Sequence, residues 1–278
     1  MRKVLVATDY SQGAHSALKY AIGMAKDYGA TIEIVHAYES PIFYTADMPL
    51  SAIEESERIA QLNAESGMKD CLENVKQEMS GIVFGTKVVK GLAGDVVAAI
   101  AMQLKADLIL TSATSAGSVE KLLIGSTTTS IINKAPCKVL VVPPNTVYQK
   151  FKKAVFATDL DERHIKEVIQ AESLLNPMQT ELDFLFIDNS IHGDTEKSDE
   201  ELLHLVKNHV AYRNRSAFVS TDSDIETGIK NFIQKSQADL AIMVSDRLKF
   251  PAMLFHRSLA KKMAQHPGVP LLILHPSE

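Results

Sequence analysis

A cluster of small hydroxyl and glycine residues follows the apolar stretch ADLIL, in the segment SATSAGSVEKLLIGST from Ser112 to Thr127. Gly125, Ser126 and Thr127 stand where a helical pattern begins, so their backbone N–H groups have no partner inside the helix. Such amides, together with the helix dipole, favour an anion, and the hydroxyls of Ser126, Thr127 and Thr128 would add donors. The pattern therefore indicates an anion site, although Ser and Thr at helix starts also serve as ordinary N-caps.

Two other apolar runs place candidate residues at the same edge of the predicted sheet. Thr8 and Asp9 follow the strand VLVA, and His36 and Ala37 lie at the end of the strand beginning IEIV. In doubly wound sheets, ligands bind outside the carboxyl ends of the strands, so these residues and the segment after ADLIL would border one crevice. Asp9 is interpreted either as a ligand contact or as the cap of the first helix. His36 is interpreted as a residue of the core.

The chain contains an internal repeat of domain length. KVLVATD at residues 3–9 returns as KAVFATD at residues 153–159, and ADLIL returns as ADLAI. A repeat of this length indicates a duplicated globular domain rather than a solenoid. We therefore predict two domains, residues 1–145 and 151–278, joined within the stretch PPNTVYQKFK.

Both copies alternate short apolar runs with amphipathic stretches. The first copy has the predicted strands VLVAT, IEIVHAY, IVFGTKVV, DLILT and KVLVV, and predicted helices from Ser11 to Gly29 and over residues 50–80, 95–105 and 126–134. The second copy repeats the plan with VFAT, ELDFLFID, SAFVST, DLAIMV and PLLILH as strands. This alternation predicts the α/β class: two similar doubly wound, Rossmann-like domains, each with a five-stranded, mostly parallel sheet flanked by helices.

Composition and missing motifs argue against several classes of protein. The 34 acidic and 29 basic residues are balanced and form no basic block, which disfavours a nucleic-acid surface. Cys71 and Cys137 lack the spacing of a zinc site, and the chain has neither a signal-peptide pattern nor a membrane-span pattern, so a cytoplasmic protein is predicted. Phosphate-loop, dinucleotide, nucleophile-elbow and zinc-protease motifs do not occur. No catalytic residue and no metal ligand is therefore assigned.

Three segments resemble the universal stress protein family in its tandem, two-domain form: KVLVATDYSQGAHSALKYAIGMA, IEIVHAY and KLLIGSTTTSIINKAPCKVLVV. The resemblance implies the adenine nucleotide alpha hydrolase-like variant of the fold. Members that bind ATP carry a glycine, two residues, a second glycine, nine residues, and then a glycine followed by Ser or Thr. In this chain the pattern falls on Ser112, Ser115, Gly125 and Ser126. The family spacing is kept, but serine replaces both of the first two glycines.

The resemblance implies a stress-response binding or regulatory module for ATP or another adenine nucleotide, with or without Mg²⁺. Asp9 and Ala37 would face the adenine. The ribose and phosphates would be lined by Ser112, Ser115, Gly125, Ser126 and Thr127. No enzyme is expected beyond slow, incidental ATP hydrolysis. The alternative is a scaffold or interaction protein that binds no nucleotide and keeps a vestigial pocket.

The expected partners are an adenine nucleotide and an unidentified protein, with no nucleic acid and no membrane. Within the chain, KVLVV and PLLIL are expected to pair, since this would cover two sheet edges. A homodimer of the whole chain stays open. In the second copy, His256, Arg257 and Ser258 replace the Gly-Ser-Thr step, so nucleotide binding of the family's kind is not expected there.

Overall fold

The computed structural model describes residues 1–40, 49–113, 126–189, 198–245 and 268–276. These residues form two units. The first contains the described residues up to 113 together with 126–137 and 144–148. The second contains residues 138–143 and the described residues from 149 onward. The predicted domain limits at 145 and 151 stay a prediction.

The first unit has a parallel sheet with the strand order β3-β2-β1-β4. Its elements in chain order are β1 (Lys3–Ala7), α1 (Gln12–Tyr28), β2 (Thr31–Tyr38), α2 (Leu50–Glu73), β3 (Phe84–Lys90), α3 (Ala93–Leu104), β4 (Leu108–Ser112) and α4 (Ser126–Lys134). Strands β1 and β4 are almost wholly buried, because helices cover the sheet and leave no polar face on these strands. All four strands end at the same edge, where the candidate residues lie.

Helix α1 begins and ends at the residues that the sequence predicts. The Ser11 hydroxyl accepts a hydrogen bond from the Ala14 N–H at 3.2 Å, and Gly29 follows the last turn with a φ of 61°. Glycine takes this left-handed conformation without strain, which is why the helix stops there. The buried face includes Leu18, Ile22 and other apolar residues packed toward the sheet. The helix therefore holds its first turn firmly beside β1 and β4.

Helix α2 is shorter than predicted. The sequence pattern extends it to Ser80, but the helix ends at Glu73. Beyond that point the chain tightens into turns, in which the Val75 N–H donates to the Leu72 carbonyl three residues back. The turns bury the side chains of Val75 and Met79. The apolar spacing that predicts a longer helix therefore places these side chains in the core from turns and not from helix.

The second unit repeats the plan, with the strand order β5-β10-β9-β6-β7-β8. Its elements are β5 (Lys138–Val142), β6 (Lys153–Ala157), α5 (Glu162–Lys166), α6 (Ile169–Leu175), β7 (Glu181–Asp188), α7 (Asp199–His209), β8 (Arg215–Thr221), α8 (Ile225–Ser236), β9 (Leu240–Val244) and β10 (Leu271–Leu274). The strands from β10 to β8 in this order are parallel to their neighbours, and β5 is antiparallel to β10.

The predicted pairing of KVLVV with PLLIL is confirmed within the second unit. Leu271 lies opposite Val141, Leu272 opposite Leu140, and Ile273 opposite Val139. The chain thus has the predicted α/β class, with a mostly parallel sheet flanked by helices. Within the described part of the chain, no helix is both long and apolar enough to cross a membrane.

Candidate functional site

A cavity of about 250 Å³ opens in the first unit where β1, β2 and β4 end. Helices α1, α3 and α4 supply the rest of its wall, through Ala14, Val97 and Ile131 among others. Six of the nine candidate residues line this cavity: Thr8, Asp9, Ala37, Ser112, Thr127 and Thr128. Carboxyl ends of parallel strands are the usual ligand position in such sheets, and the structure brings the separate sequence segments together there.

The turn after β1 is held by its own side chains. The Thr8 hydroxyl accepts from the Tyr10 N–H at 3.1 Å, and one Asp9 carboxylate oxygen accepts from the Ser11 N–H at 3.0 Å. Tyr10 has a φ of 64°, a strained conformation for a residue with a side chain. Asp9 is exposed and Ser11 caps the helix, so capping by Asp9, one of its two predicted roles, is wrong. Asp9 instead fixes the turn and borders the cavity.

Tyr10 connects this turn to helix α2. Its hydroxyl donates to the Ala64 carbonyl at 2.6 Å, and its ring occupies the space above Gly67, where a Cβ would come within 2.5 Å of it. The ring also stacks on His36 with 4.1 Å between centroids. Burial raises the pKa of the Tyr10 phenol well above its usual value, so the hydroxyl stays a neutral donor.

His36 takes part in the same support. Its Nδ1 atom lies 2.8 Å from the Thr8 carbonyl oxygen, and the ring packs on Tyr10. These two contacts agree with the interpretation of His36 as a structural residue. The histidine therefore helps to hold the end of β1, while Ala37, the next residue, faces the cavity.

Ser112 occupies the floor of the cavity at the end of β4. Its side chain is buried, and its hydroxyl donates to the Ala113 carbonyl at 3.0 Å. A Cβ placed on Gly13 would come within 2.7 Å of the Ser112 oxygen. The glycine in the first turn of α1 thus makes room for the serine that stands at the family's glycine position.

The three hydroxyl residues at the start of α4, Ser126, Thr127 and Thr128, differ in their surroundings. The buried Thr128 hydroxyl donates to the Ser112 carbonyl at 3.0 Å, which ties the helix to β4. Thr127 is exposed and lines the cavity, whereas Ser126 is exposed outside it. As residues of the first helical turn, all three have backbone N–H groups with no acceptor inside the helix. The Thr128 hydroxyl proton is therefore donated within the protein, while Thr127 lines the cavity.

Two predicted positions, Ser115 and Gly125, lie outside the described residues. Conversely, the structure adds Glu39, which borders the cavity one residue after β2, and Ala93, which begins α3 there. Glu39 has the same signal as Asp9, a carboxylate just after a strand end. Ala93 carries no polar signal and could be found only from the packing of α3.

Comparison with known proteins agrees with this fold. The model of the universal stress protein family matches residues 1–143, which is more than half of the chain. The chain belongs to the universal stress protein family. A universal stress protein of Methanocaldococcus jannaschii is 31% identical over 143 residues, covering 51% of this chain and 81% of the relative. A putative universal stress protein of Staphylococcus aureus strain USA300 is 28% identical over 165 residues, covering 59% and 96%.

Solved structures extend the likeness to both halves. A universal stress protein from Archaeoglobus fulgidus DSM 4304 superposes with a TM-score of 0.73 at 15% identity, covering 99% of this chain and 98% of the other. A putative universal stress protein from Pseudomonas aeruginosa UCBPP-PA14 gives 0.66 at 15% identity, covering 99% and 94%. These structures share the fold over the whole chain, as expected for a tandem member of the family.

Proposed function

We propose that the first unit binds an adenine nucleotide, ATP with or without Mg²⁺, and acts as a binding and regulatory module in a stress response. The observation that carries the proposal is the single cavity in which the ends of β1, β2 and β4 meet the first turn of α4. Family membership supports the same ligand class. We assign no catalytic step to this site.

The two ends of the cavity offer different chemistry. At one end, Asp9 and Glu39 provide carboxylate acceptors, and Ala37 leaves space for a ring. Carboxylates suit ribose hydroxyls and amino groups, which are donors. At the other end, the Thr127 hydroxyl and the first amides of α4 are donors suited to phosphate. A molecule with an amino-bearing base, a sugar and phosphates matches this order.

Ser112 is compatible with a ligand in the cavity. Its hydroxyl is turned toward Ala113 and the Gly13 side, where it is already bonded. Ser112 thus lines the cavity with a hydroxyl that is already bonded within the protein.

Thermal-shift titration and calorimetry of the full chain with ATP test the proposal. A ligand at about 100 times its Kd stabilises the folded state by about 2.7 kcal/mol. At about 2–4 °C for each kcal/mol, the first unit should melt about 5–10 °C higher. Adenosine should give a smaller shift because it lacks the phosphates that α4 would hold.

A variant and its matched control locate the effect. Ala37→Ile copies the residue that the second unit has at the corresponding strand position, Ile187, and narrows the cavity. We expect it to weaken ATP binding by about tenfold or more through overpacking. Ile187→Val, in the second unit, should leave ATP binding unchanged.

The alternative function is a scaffold that binds no nucleotide. It draws support from the internal use of two hydroxyls, since Ser112 and Thr128 both donate within the protein. Millimolar ATP would then produce no shift, with or without Mg²⁺, and Ala37→Ile would have no effect on ligand titrations. That result would refute the nucleotide proposal and leave the duplicated fold as an interaction surface.

A further inference from the structure

The second unit has a cavity of its own at the corresponding place. It measures about 130 Å³, roughly half the volume of the first, and lies where β6, β7 and β9 end. Its polar side chains are Thr158, Asp159, His164 and Asn189. An apolar cavity with a few converging polar groups is the usual form of a small-molecule site.

The strand register allows the two cavities to be compared position by position. Lys3 pairs with Thr31 as Lys153 pairs with Glu181, and Val4 pairs with Leu108 as Ala154 pairs with Leu240. Corresponding residues therefore differ by 150 in the first part of each unit and by 132 at β4 and β9. Differences between the cavities are substitutions at matched positions.

The turn that presents the aspartate is the same in both units. The Thr158 hydroxyl accepts from the Leu160 N–H at 3.0 Å, and one Asp159 oxygen accepts from the Asp161 N–H at 3.1 Å. Leu160 has a φ of 69°, as Tyr10 has 64° in the first unit. The carboxylate of Asp159 is thus held at the mouth of the second cavity in the position that Asp9 has in the first.

The walls have become larger and more apolar. Ile187 stands in place of Ala37, and Ile225 in place of Ala93. At the end of β9, Met243 replaces a threonine of the first unit. These changes reduce the space for a ligand and remove a hydroxyl from one side of it.

The charge of the cavity has changed as well. Asn189 replaces the carboxylate of Glu39, and His164 replaces Ala14. The His164 ring is buried, with its Nδ1 atom 3.1 Å from both oxygens of Asp159. This cavity has about half the volume of the first, so an anionic ligand inside it would lie close to the Asp159 carboxylate. A cationic ligand would have to lose its water against apolar walls. A neutral molecule avoids both costs.

We propose that this second cavity is a separate binding site for a neutral, ring-sized, mainly apolar molecule that donates a hydrogen bond to Asp159. The isoleucines and Met243 would enclose the ring, and His164 would hold the carboxylate in position. Among the described residues, Asp159 accepts from the Asp161 N–H and lies beside His164 Nδ1, and a carboxylate has about four acceptor positions in all. The site is independent of nucleotide binding in the first unit.

The test measures binding of indole to the full chain by calorimetry and ligand-observed NMR, with phenol and adenine as further neutral donors. We expect saturable binding of at least one of them, with benzoate, an anion of similar size, bound more weakly by about tenfold. Asp159→Asn keeps the shape but weakens the acceptor, and should lower affinity by about tenfold. Asp9→Asn, the matched change in the first unit, should leave this binding unchanged.

A second variant, whose fold is checked separately, tests the cavity itself. Ile229→Phe fills the cavity from α8 and should abolish binding while far-UV circular dichroism stays unchanged. The proposal is overturned if none of the three probes binds at millimolar concentration, if Asp159→Asn binds as tightly as the parent, or if ATP competes with the bound probe. ATP titration of the same samples reports on the first unit separately, so the two proposals fail in distinguishable ways.

Discussion

The contact between Gly13 and Ser112 gives a sharp test of how the first cavity is built. In Gly13→Ala, the new methyl group would lie 2.7 Å from the Ser112 hydroxyl oxygen, 3.6 Å from its Cβ and 3.7 Å from the Ala113 carbonyl oxygen. Only the first distance is too short. The hydroxyl must therefore rotate away, and Ser112 is one of the residues that line the cavity.

The expected magnitude follows from three terms. Alanine favours the helix over glycine by at most about 1 kcal/mol. Rotation of Ser112 breaks its bond to the Ala113 carbonyl, which costs about 1 kcal/mol. An imperfect rotamer costs a further 0.5–1.5 kcal/mol or so. The net change is a destabilisation of about 0.5–1.5 kcal/mol, when helix propensity alone would have stabilised the protein.

Ser112→Ala provides the matched background. It removes the oxygen that clashes and keeps the Cβ, which stands at an acceptable 3.6 Å. Gly13→Ala should then stabilise by up to about 1 kcal/mol. The two changes should thus couple by about 1.5–2.5 kcal/mol in a double-mutant cycle.

Urea unfolding followed by far-UV circular dichroism measures the free energies of unfolding of the parent, the two single variants and the double variant. ATP titration of the same four proteins measures the affinity of the cavity for ATP. The single variant Gly13→Ala should also bind ATP more weakly, with binding recovered in the double variant. Additivity of the two substitutions to within about 0.5 kcal/mol would refute this account of the contact. So would a Gly13→Ala protein more stable than the parent.

Three further changes test other parts of the structure. Thr128→Val removes the buried donor at the start of α4 and should lower the free energy of unfolding by about 1–3 kcal/mol in urea titrations. The same change at the exposed Thr127 should lower it by less than about 0.5 kcal/mol. Equal losses would contradict the assignment. Gly94→Ala would place a methyl group 3.1 Å from the α4 backbone and closer still to the side chain of Ser130. We therefore expect the free energy of unfolding to fall by about 1–3 kcal/mol and ATP to bind more weakly. A change below about 0.5 kcal/mol would show that α3 and α4 are not in tight contact. Burial raises the pKa of Asp239 above its usual value, so this group contributes stability at low pH that is lost as the pH rises through the raised pKa. Compared with Asp239→Asn at pH 4 to 7, the parent should therefore gain relative stability as the pH falls, and the opposite trend would reject the shift.

Much of the fold could be read from local patterns because those patterns have local causes. Ser11 and Gly29 limit α1 through a cap and a left-handed residue, and both features depend on the adjacent backbone. Strand β7 covers the stretch ELDFLFID that the sequence predicts, from Glu181 to Asp188. The end of α2 could not be read in this way, because Val75 continues the apolar period in a turn that only packing against the core produces.

The candidate site was predictable to a similar degree. The place of Thr8, Asp9 and Ala37 is predictable because a residue at or just after the end of a parallel strand lies at a known edge of the sheet. The role of Thr128 was not predictable, since its sequence neighbours have the same hydroxyl and only the distance to β4 distinguishes them. Gly13 gave no signal either, because its importance depends on a residue 99 positions away in the chain.

Local patterns in the chain predict the duplicated α/β plan, the limits of most elements and the sheet edge at which the candidate residues lie. Hydrophobic period, caps and strand ends are properties of neighbouring residues, so they are present in the chain before it folds. Which hydroxyls donate within the protein, and how large each cavity is, can be learned only from the packed fold. Those properties depend on contacts that exist only once the segments are packed together. One example is His164, which lies beside Asp159 in the second unit where the first unit has Ala14.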